Sequence, residues 1–199
     1  MDALILAGGR ARRMGGRTKA LLTLGGRTFI ELILETLAPL VETVILSTNE
    51  PDAYRHLDLR MVPDDEEGRG PLMGIRSGLR ASRADACFVV AADAPLLQGG
   101  LVMAIAAAAA SAPGHDVVVP VWEGKLEPLC AWYSRACLPA IERTIGLGRV
   151  VSFYPLVRAC RVPEEAVRAA DPRGLSFVNV NGPEDLDRLR ILAAQAPPA

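Results

Sequence analysis

Residues 3–19 read ALILAGGRARRMGGRTK, and this stretch decides the fold. Residues 3–7 are apolar without interruption, which predicts a strand that is buried on both faces of a sheet. The strand ends at Gly8 and Gly9, and paired glycines let a backbone bend and bring its N–H groups close to a ligand. We therefore expect a buried strand that leads directly into a ligand-binding loop.

The loop after this strand carries a dense run of cations: Arg10, Arg12, Arg13, Arg17 and Lys19. Like charges at this spacing repel one another unless an anion lies among them. A triphosphate fits best, because guanidinium and ammonium groups both bind phosphate oxygens. The residue order matches neither the ATPase phosphate loop nor the dinucleotide fingerprint. A solvated basic loop is the alternative interpretation.

Outward from this stretch, short apolar runs alternate with longer helical segments, which predicts an α/β fold. The sheet should be mostly parallel and Rossmann-like, with helices on both sides. The predicted strands cover 44–46, 61–62, 87–91, 117–119, 129–133 and 177–181, and the predicted helices cover 28–37, 72–80, 100–110, 134–145 and a last helix from Pro183. No repeat or linker divides the chain, so we expect a single domain over 1–195 and a frayed tail at 196–199.

Composition excludes several classes of function. The 199 residues are 50% hydrophobic and carry a net charge of −1, which is not typical of a nucleic-acid-binding protein. The longest apolar run, 101–110, is shorter than the roughly 20 residues that cross a bilayer. The start of the chain has no basic leader, and its four cysteines are widely spaced. We therefore expect reduced thiols, no membrane contact and a cytoplasmic location.

Two carboxylates follow predicted strands and belong to the same expected site. Asp93 follows the strand at 87–91, and Asp64 follows the strand at 61–62. Because ligands bind beyond the carboxyl ends of parallel strands, both should lie near the first loop. Asp93 suits Mg²⁺, which takes few protein ligands and completes its shell with phosphate and water. The alternatives are a helix cap for Asp93 and an acidic surface loop for Asp64.

The first loop, the two carboxylates and several further segments together make the chain resemble the molybdenum cofactor guanylyltransferases, a family of small nucleotidyltransferases. The resemblance runs from Leu4 to about Leu189 and implies Mg²⁺-dependent transfer of GMP from GTP to molybdopterin, with release of pyrophosphate. The matching segments are 6–9, 13–15, Lys19, 70–75, 93–95, 127–129, 148–150, 177–181 and 183–186.

The resemblance also implies roles for individual residues. The implied catalytic residues are Arg13, Lys19 and Asp93, with Asp93 as the metal ligand. The implied nucleotide contacts are Leu6, Ala7, Gly8, Gly9, Lys19, Asp64 and Asp93, and either Ser47 or Asn49 takes a further contact because relatives often carry Asn at position 47. The implied pterin side comprises Gly74, Arg149, Asn179 and Asn181. Close helix packing, a surface arginine and a polar strand end are the respective alternatives.

Other functions use the same first loop and stay open at this point. They include cytidylyl transfer to molybdopterin and nucleotidyl transfer to a sugar phosphate or phospholactate. A nucleotide-binding module without turnover is a further alternative, although Lys19 and Asp93 are both present. For the guanylyltransferase, the expected partners are GTP, molybdopterin and transient contacts with cofactor-synthesis proteins or acceptor enzymes.

Overall fold

The computed structural model describes residues 1–8, 18–66, 70–111 and 113–194. The strands are β1 Asp2–Leu6, β2 Thr23–Leu24, β3 Arg27–Thr28, β4 Val44–Ser47, β5 Arg60–Val62, β6 Ala86–Ala91, β7 Val117–Trp122, β8 Lys125–Leu126, β9 Cys130–Ser134 and β10 Ala159–Val162. The α-helices are α1 Phe29–Leu37, α2 Pro71–Ala81, α3 Gly99–Ser111, α4 Leu138–Thr144, α5 Glu164–Ala170 and α6 Pro183–Ala194. Short 3-10 helices cover Lys19–Leu21, Pro51–Leu57, Arg135–Cys137, Ile145–Leu147, Val150–Leu156 and Leu175–Phe177.

The main sheet has eight strands, and seven of them follow the order β10-β7-β9-β6-β1-β4-β5, with β8 paired to β7. β1 is parallel to both β4 and β6, β4 is parallel to β5, and β10 is parallel to β7. β9 runs antiparallel to both β6 and β7. The carboxyl ends of β1, β4, β5, β6 and β7 therefore meet at one edge, and the prediction of a mostly parallel sheet is confirmed.

Helices cover both faces of this sheet, as the uninterrupted apolar strands predict. On one face, α1, α3 and α5 contribute buried side chains such as Ile33, Leu101 and Val167. On the other face, α2 and α4 contribute Ile75 and Ile141. β1 is buried along its whole length. A strand enclosed on both faces must be apolar at every position, which explains why its sequence does not alternate.

Two predicted helix starts are supported by capping contacts. The Thr28 hydroxyl accepts a hydrogen bond from the Glu31 backbone N–H, and the Glu31 carboxylate accepts one from the Thr28 backbone N–H. This capping box fixes the first turn of α1. The Ser134 hydroxyl accepts from the Ala136 backbone N–H at 3.1 Å. Beyond it, the helix predicted over 134–145 consists of the 3-10 turn Arg135–Cys137 followed by α4.

The strand predicted at 177–181 is wrong. The 3-10 helix Leu175–Phe177 occupies its start, and the next residues belong to no sheet. Their backbone N–H groups bond locally, Val178 to the Leu175 carbonyl and Val180 to the Asp93 carbonyl. The β-branched residues favour an extended backbone, but none of the described strands pairs with this segment.

Several elements were not predicted from the sequence, namely the β2–β3 hairpin, β8, β10, α5 and most 3-10 turns. They are short or close to chain reversals, where apolar periodicity is weak. The predicted tail at 196–199 lies outside the described residues. No helix in the described ranges combines the length and apolar character that a membrane crossing requires.

Candidate functional site at the carboxyl edge of the sheet

The central strands are held in register up to the edge where the site lies. The Ala7 backbone N–H donates to the Ser47 carbonyl at 2.9 Å, and the Ala92 backbone N–H donates to the Leu6 carbonyl at 3.0 Å. These bonds lie at the ends of β1, β4 and β6, so the loops that leave the three strands start side by side. The predicted nucleotide contacts Leu6, Ala7 and Ser47 therefore belong to one continuous edge.

Asp64 is the centre of a polar cluster at this edge. Its carboxylate accepts from the Ser47 hydroxyl at 3.3 Å and from the Asn49 side-chain amide at 3.2 Å. Its own backbone N–H donates to the Asn49 amide oxygen at 2.8 Å. A Cβ added to Gly8 would lie 3.9 Å from Asp64 Oδ2. The structure thus brings together Gly8, Asp64 and both alternatives for the further nucleotide contact, Ser47 and Asn49.

Gly74 allows α2 to lie close to this cluster. A Cβ at position 74 would be 2.7 Å from Ser47 Oγ, 3.0 Å from Leu6 Cδ2 and 3.5 Å from Asp64 Oδ1. Cβ atoms do not approach other atoms at the first of these distances, so a larger residue would force the cluster to move. The neighbours of Gly74 are the predicted nucleotide contacts, although the resemblance implies a place for this glycine on the pterin side.

Lys19 joins three parts of the chain that are far apart in sequence. Its ammonium group donates to Asp93 Oδ2 at 3.1 Å and to the Asn181 side-chain oxygen at 2.8 Å. The Lys19 and Asp93 side chains are 24% and 23% exposed, so the pair is partly shielded from water and still open to a ligand. Such partial shielding strengthens the interaction of each charge with a phosphate group.

Local backbone bonds fix the segment that carries Asn181. The Asp185 carboxylate accepts from the Asn181 backbone N–H at 2.7 Å and from the Gly182 backbone N–H at 2.9 Å. These bonds cap the start of α6, where a carboxylate also interacts favourably with the helix dipole. The Val180 N–H bond to the Asp93 carbonyl, at 3.0 Å, links the same segment to the Asp93 loop.

The remaining predicted residues are less closely connected. Arg149 is exposed. The preceding residue, Gly148, lies near the start of α2, because its carbonyl oxygen would be 3.7 Å from a Cβ added to Gly70. Asn179 is exposed, and its side chain makes no hydrogen bond within the described part of the chain. Gly9 and Arg13 lie outside the described residues.

The donor set at this edge suits a metal that takes most of its ligands from phosphate and water. In the described ranges, no three side chains of His, Cys, Asp or Glu form a cluster. Asp93 Oδ2 binds Lys19, and Asp93 Oδ1 has no hydrogen bond among the described residues. Mg²⁺ is commonly held by one or two carboxylates together with substrate phosphates. The partly exposed Asp93 carboxylate therefore fits this ion.

Sequence reasoning missed a buried carboxylate that shapes the Asn181 segment. Asp171 is 1% exposed and accepts from the backbone N–H groups of Leu175, at 3.0 Å, and Ser176, at 2.8 Å. The Ser176 hydroxyl in turn accepts from the Gln98 backbone N–H at 2.9 Å. The sequence signal was the Asp-Pro-Arg-Gly run at 171–174, which is typical of a turn.

An aromatic wall stands beside this segment at the end of β7. The Trp122 and Phe177 ring centroids are 5.4 Å apart, and the Arg168 guanidinium lies 4.2 Å from the centre of the Trp122 ring. Arg168 also binds Glu164, and this hydrogen bond is the main cause that lowers the pKa of the Glu164 carboxyl. Gly174 leaves room for the indole, since a Cβ there would lie 2.1 Å from it.

Comparisons with known proteins agree with this geometry. Residues 3–161 match the MobA-like NTP transferase domain. A molybdenum cofactor guanylyltransferase from Desulfosudis oleivorans is 37% identical over 194 residues, which cover 94% of this chain and 95% of the relative. A protein of the same name from Cereibacter sphaeroides is 37% identical, with 95% of each chain covered. The crystal structure of molybdopterin-guanine dinucleotide biosynthesis protein A from Archaeoglobus fulgidus is similar with a TM-score of 0.83 and 26% identity, covering 98% of this chain and 100% of that chain.

Proposed function

Because the chain belongs to the MobA-like NTP transferase family, and within it to the molybdenum cofactor guanylyltransferases, we propose that it transfers GMP from GTP to molybdopterin. The chain is a nucleotidyltransferase by this membership. The acceptor is the terminal phosphate of molybdopterin, and pyrophosphate is the second product. GTP and molybdopterin are the substrates, with transient contacts to cofactor-synthesis proteins or acceptor enzymes.

The observation that carries the proposal is the position of Lys19 between Asp93 and Asn181. Lys19 comes from the end of the first loop, Asp93 from the loop after β6 and Asn181 from the segment before α6. A cation at this point lies between the expected nucleotide side and the expected pterin side. It can therefore neutralise the phosphate groups of both substrates as they approach one another.

The reaction is an in-line displacement at the α-phosphorus of GTP. An oxygen of the molybdopterin phosphate forms the new bond, and the bond from the α-phosphorus to the bridging oxygen of pyrophosphate breaks. The attacking phosphate is already ionised near pH 7, so it needs no strong general base. Catalysis therefore depends on positioning and on charge neutralisation. Lys19 and Arg13 offset the charge that builds up on the leaving pyrophosphate.

The two histidines suit this mechanism because neither is needed for proton transfer. His56 lies in the 3-10 turn Pro51–Leu57. His115 precedes β7, at the amino edge of the sheet and opposite to the site. We assign neither of them a catalytic part.

Asp93 would hold Mg²⁺ as the required cofactor. When bound, this ion supplies charge neutralisation on the phosphate oxygens. The protein's own contribution is to fix the position of the Asp93 carboxylate through Lys19, at the point where the triphosphate enters. The partial exposure of the Asp93 side chain, whose Oδ2 binds Lys19, is the support for this assignment.

The other assignments divide the edge into two halves. The nucleotide half comprises Leu6, Ala7, Gly8, Gly9, Lys19, Ser47, Asn49, Asp64 and Asp93, and Gly74 supports it from α2. The pterin half comprises Arg149, Asn179 and Asn181. The domain spans 1–195, and the location is cytoplasmic, which is consistent with four free cysteines.

A nucleotide-and-acceptor panel tests this function. The protein with Mg²⁺ would receive GTP, CTP or ATP, each labelled at the α-phosphate, together with molybdopterin, a sugar phosphate or phospholactate. Among these combinations, only GTP together with molybdopterin should give a labelled product. Asp93→Asn should abolish transfer, whereas the matched control Asp52→Asn, an exposed carboxylate in a surface ion pair, should leave it intact. Transfer from CTP, or transfer to another acceptor, would contradict the assignment.

A further inference from the structure

The β7–β8 hairpin places a glutamate, Glu127, at the carboxyl edge of the sheet. The hairpin turns at Glu123 and Gly124, both with positive φ, as a tight reversal requires. Val121 pairs with Leu126, and Trp122 pairs with Lys125. The Glu127 backbone N–H continues this ladder by donating to the Pro120 carbonyl at 3.0 Å.

This register decides which face of the hairpin Glu127 occupies. Side chains alternate along a strand, and directly paired residues share a face. One face of the hairpin therefore carries Trp122, its partner Lys125 and, two residues after Lys125, Glu127. Leu126 lies on the other face. Leu126 packs with the core under α2 and α4, and Trp122 packs with the core under α3 and α5. Glu127 thus faces the side that holds the aromatic wall.

Glu127 also lies close to β6, the strand that precedes Asp93. β9, which begins three residues after Glu127, pairs with β6. The Ala91 backbone N–H donates to the Leu129 carbonyl at 3.1 Å. Ala91 is two residues before Asp93, and Leu129 is two residues after Glu127. The two residues accordingly lie next to the ends of neighbouring strands at the same edge of the sheet.

Within the described ranges, the Glu127 carboxylate has no partner that would explain its position. It is half-buried, and it makes no hydrogen bond or ion pair with any described residue. Burial raises the pKa of this carboxyl, the nearby Lys125 lowers it and Glu123 raises it further. Because Glu127 is partly exposed, water can solvate its carboxylate in the free protein, and a ligand that offers hydrogen-bond donors can replace this water.

We propose that Glu127 selects the acceptor by accepting two hydrogen bonds from the pyrimidine edge of the pterin ring. This edge carries an N3–H and a 2-amino group side by side, and a carboxylate offers two acceptor oxygens with the matching spacing. The aromatic wall of Trp122 and Phe177, fixed by Arg168, gives the flat ring a rigid apolar boundary. The inference rests on the proposed function, because it assigns the ring that this site would bind.

A steady-state experiment separates recognition by Glu127 from a structural role. Glu127→Gln keeps the size of the side chain and removes the charge, so one oxygen acceptor is replaced by an NH₂ donor. We expect the KM for molybdopterin to rise roughly 10- to 100-fold, the loss typical of a charged hydrogen bond. The KM for GTP, and the kcat at saturating molybdopterin, should stay within about twofold, since the phosphates are held elsewhere. Glu123→Gln on the same hairpin is the matched control and should change none of these.

A binding experiment tests the ring directly, using pterin and lumazine as probes. Lumazine has a carbonyl where pterin has the 2-amino group, so it presents an acceptor to Glu127 in place of a donor. Wild type should bind pterin at least about 10-fold more tightly than lumazine, and Glu127→Gln should lose that preference. Thermal unfolding should show the variant at least as stable as wild type, because the substitution removes a partly desolvated charge.

The outcomes are distinct. If Glu127→Gln leaves the KM for molybdopterin unchanged, the proposed role of Glu127 is overturned. This holds whether or not the protein distinguishes pterin from lumazine. If wild type transfers no GMP to molybdopterin, the proposed function fails, and the ring affinities then decide about Glu127. In that case, equal or undetectable affinities for pterin in wild type and variant also overturn this inference.

Discussion

Lys19 is the residue on which the site's charge balance depends most. Its ammonium group contacts a carboxylate 74 positions away and an amide 162 positions away. A structural ion pair of this exposure contributes at most about 1 kcal/mol to stability. The same cation beside a transferring phosphate group can contribute several times more, so function explains its position better than stability does.

Replacing Lys19 by Met should therefore lower turnover far more than stability. We expect kcat to fall at least about 100-fold, because a charge aimed at the developing transition state is lost. The free energy of unfolding should change by less than about 1 kcal/mol. Initial rates of pyrophosphate release and urea unfolding measure the two quantities. Arg190→Met, in an exposed ion pair on α6, is the control and should affect neither. A fully active Lys19→Met protein would remove Lys19 from the mechanism.

Gly74 offers a second test at the residue scale. An added Cβ must displace Ser47, Leu6 or Asp64, so Gly74→Ala should disturb the nucleotide half of the edge. We expect the KM for GTP to rise roughly 10-fold while the helix itself gains propensity, since Ala favours helix over Gly by about 1 kcal/mol.

The control for this glycine is Gly146→Ala. A Cβ at position 146 meets no atom within 4 Å, so its KM for GTP should equal that of wild type. An unchanged KM in Gly74→Ala would mean that the close approach of α2 does not shape the nucleotide site. Both values come from the same rate measurements at saturating molybdopterin.

Individual site residues could be predicted from the sequence to different extents. Asp64 and Asp93 were predicted because each directly follows an apolar strand, and parallel strands bring such positions to one edge. Glu127 was not assigned a role, because its position depends on the register of a hairpin and on an antiparallel strand. Neither feature leaves a periodic signal in the sequence. Asp171 was missed because burial of its carboxylate follows from tertiary packing.

At the scale of elements, the segment between α5 and α6 shows where a local pattern misleads. Residues 178–181 alternate apolar and polar side chains, which is typical of a half-buried strand. In the structure, the segment instead lies against the loop that carries Asp93. The Val180 backbone N–H donates to the Asp93 carbonyl, and the Gln98 backbone N–H donates to the hydroxyl of Ser176, just before the segment. Long apolar segments such as β1 and β6 were predicted correctly, because burial on both faces constrains every residue in them.

Asp171 should control both the stability and the activity of this segment. Asp171→Ala leaves two buried backbone N–H groups without acceptors, which should cost about 2–4 kcal/mol of unfolding free energy. The Asn181 side chain would then be held less firmly against Lys19, so GMP transfer should also fall at temperatures where the protein stays folded.

Urea unfolding and transfer rates measure these two effects of Asp171→Ala. Asp187→Ala, an exposed carboxylate on α6, is the matched control, with an expected change of less than about 0.5 kcal/mol. If Asp171→Ala were as stable as this control, the two backbone bonds would not be what holds the segment in place.

At the scale of the whole molecule, the sheet packs buried thiols and phenols that ionise only with difficulty. Burial raises the pKa of Cys87 to about 11 and that of Cys137 to about 12, and it also raises the pKa values of Cys130 and Tyr133. In the unfolded chain, these groups have ordinary pKa values near 9 and 10. Above those values the unfolded state has lost protons that the folded state still binds. Stability must therefore fall as the pH rises.

We expect unfolding free energy to be lower at about pH 10 than at about pH 7.5, by roughly 1 kcal/mol for each buried thiol. Urea unfolding at the two pH values measures the loss. Cys87→Ala should show a loss smaller by about the contribution of one thiol, since that group no longer ionises in the unfolded chain. Equal stability of wild type at both pH values would contradict the burial of these groups.

The central claim concerns which phosphorus atom of GTP is attacked, and the fate of a label tests it most directly. Protein, Mg²⁺ and molybdopterin would be incubated in parallel with GTP labelled at the α-phosphate and GTP labelled at the γ-phosphate. We predict label in the molybdopterin product from the first GTP only, with the γ label recovered in pyrophosphate. The γ label in the product, or an unlabelled product from α-labelled GTP, would contradict nucleotidyl transfer at this site.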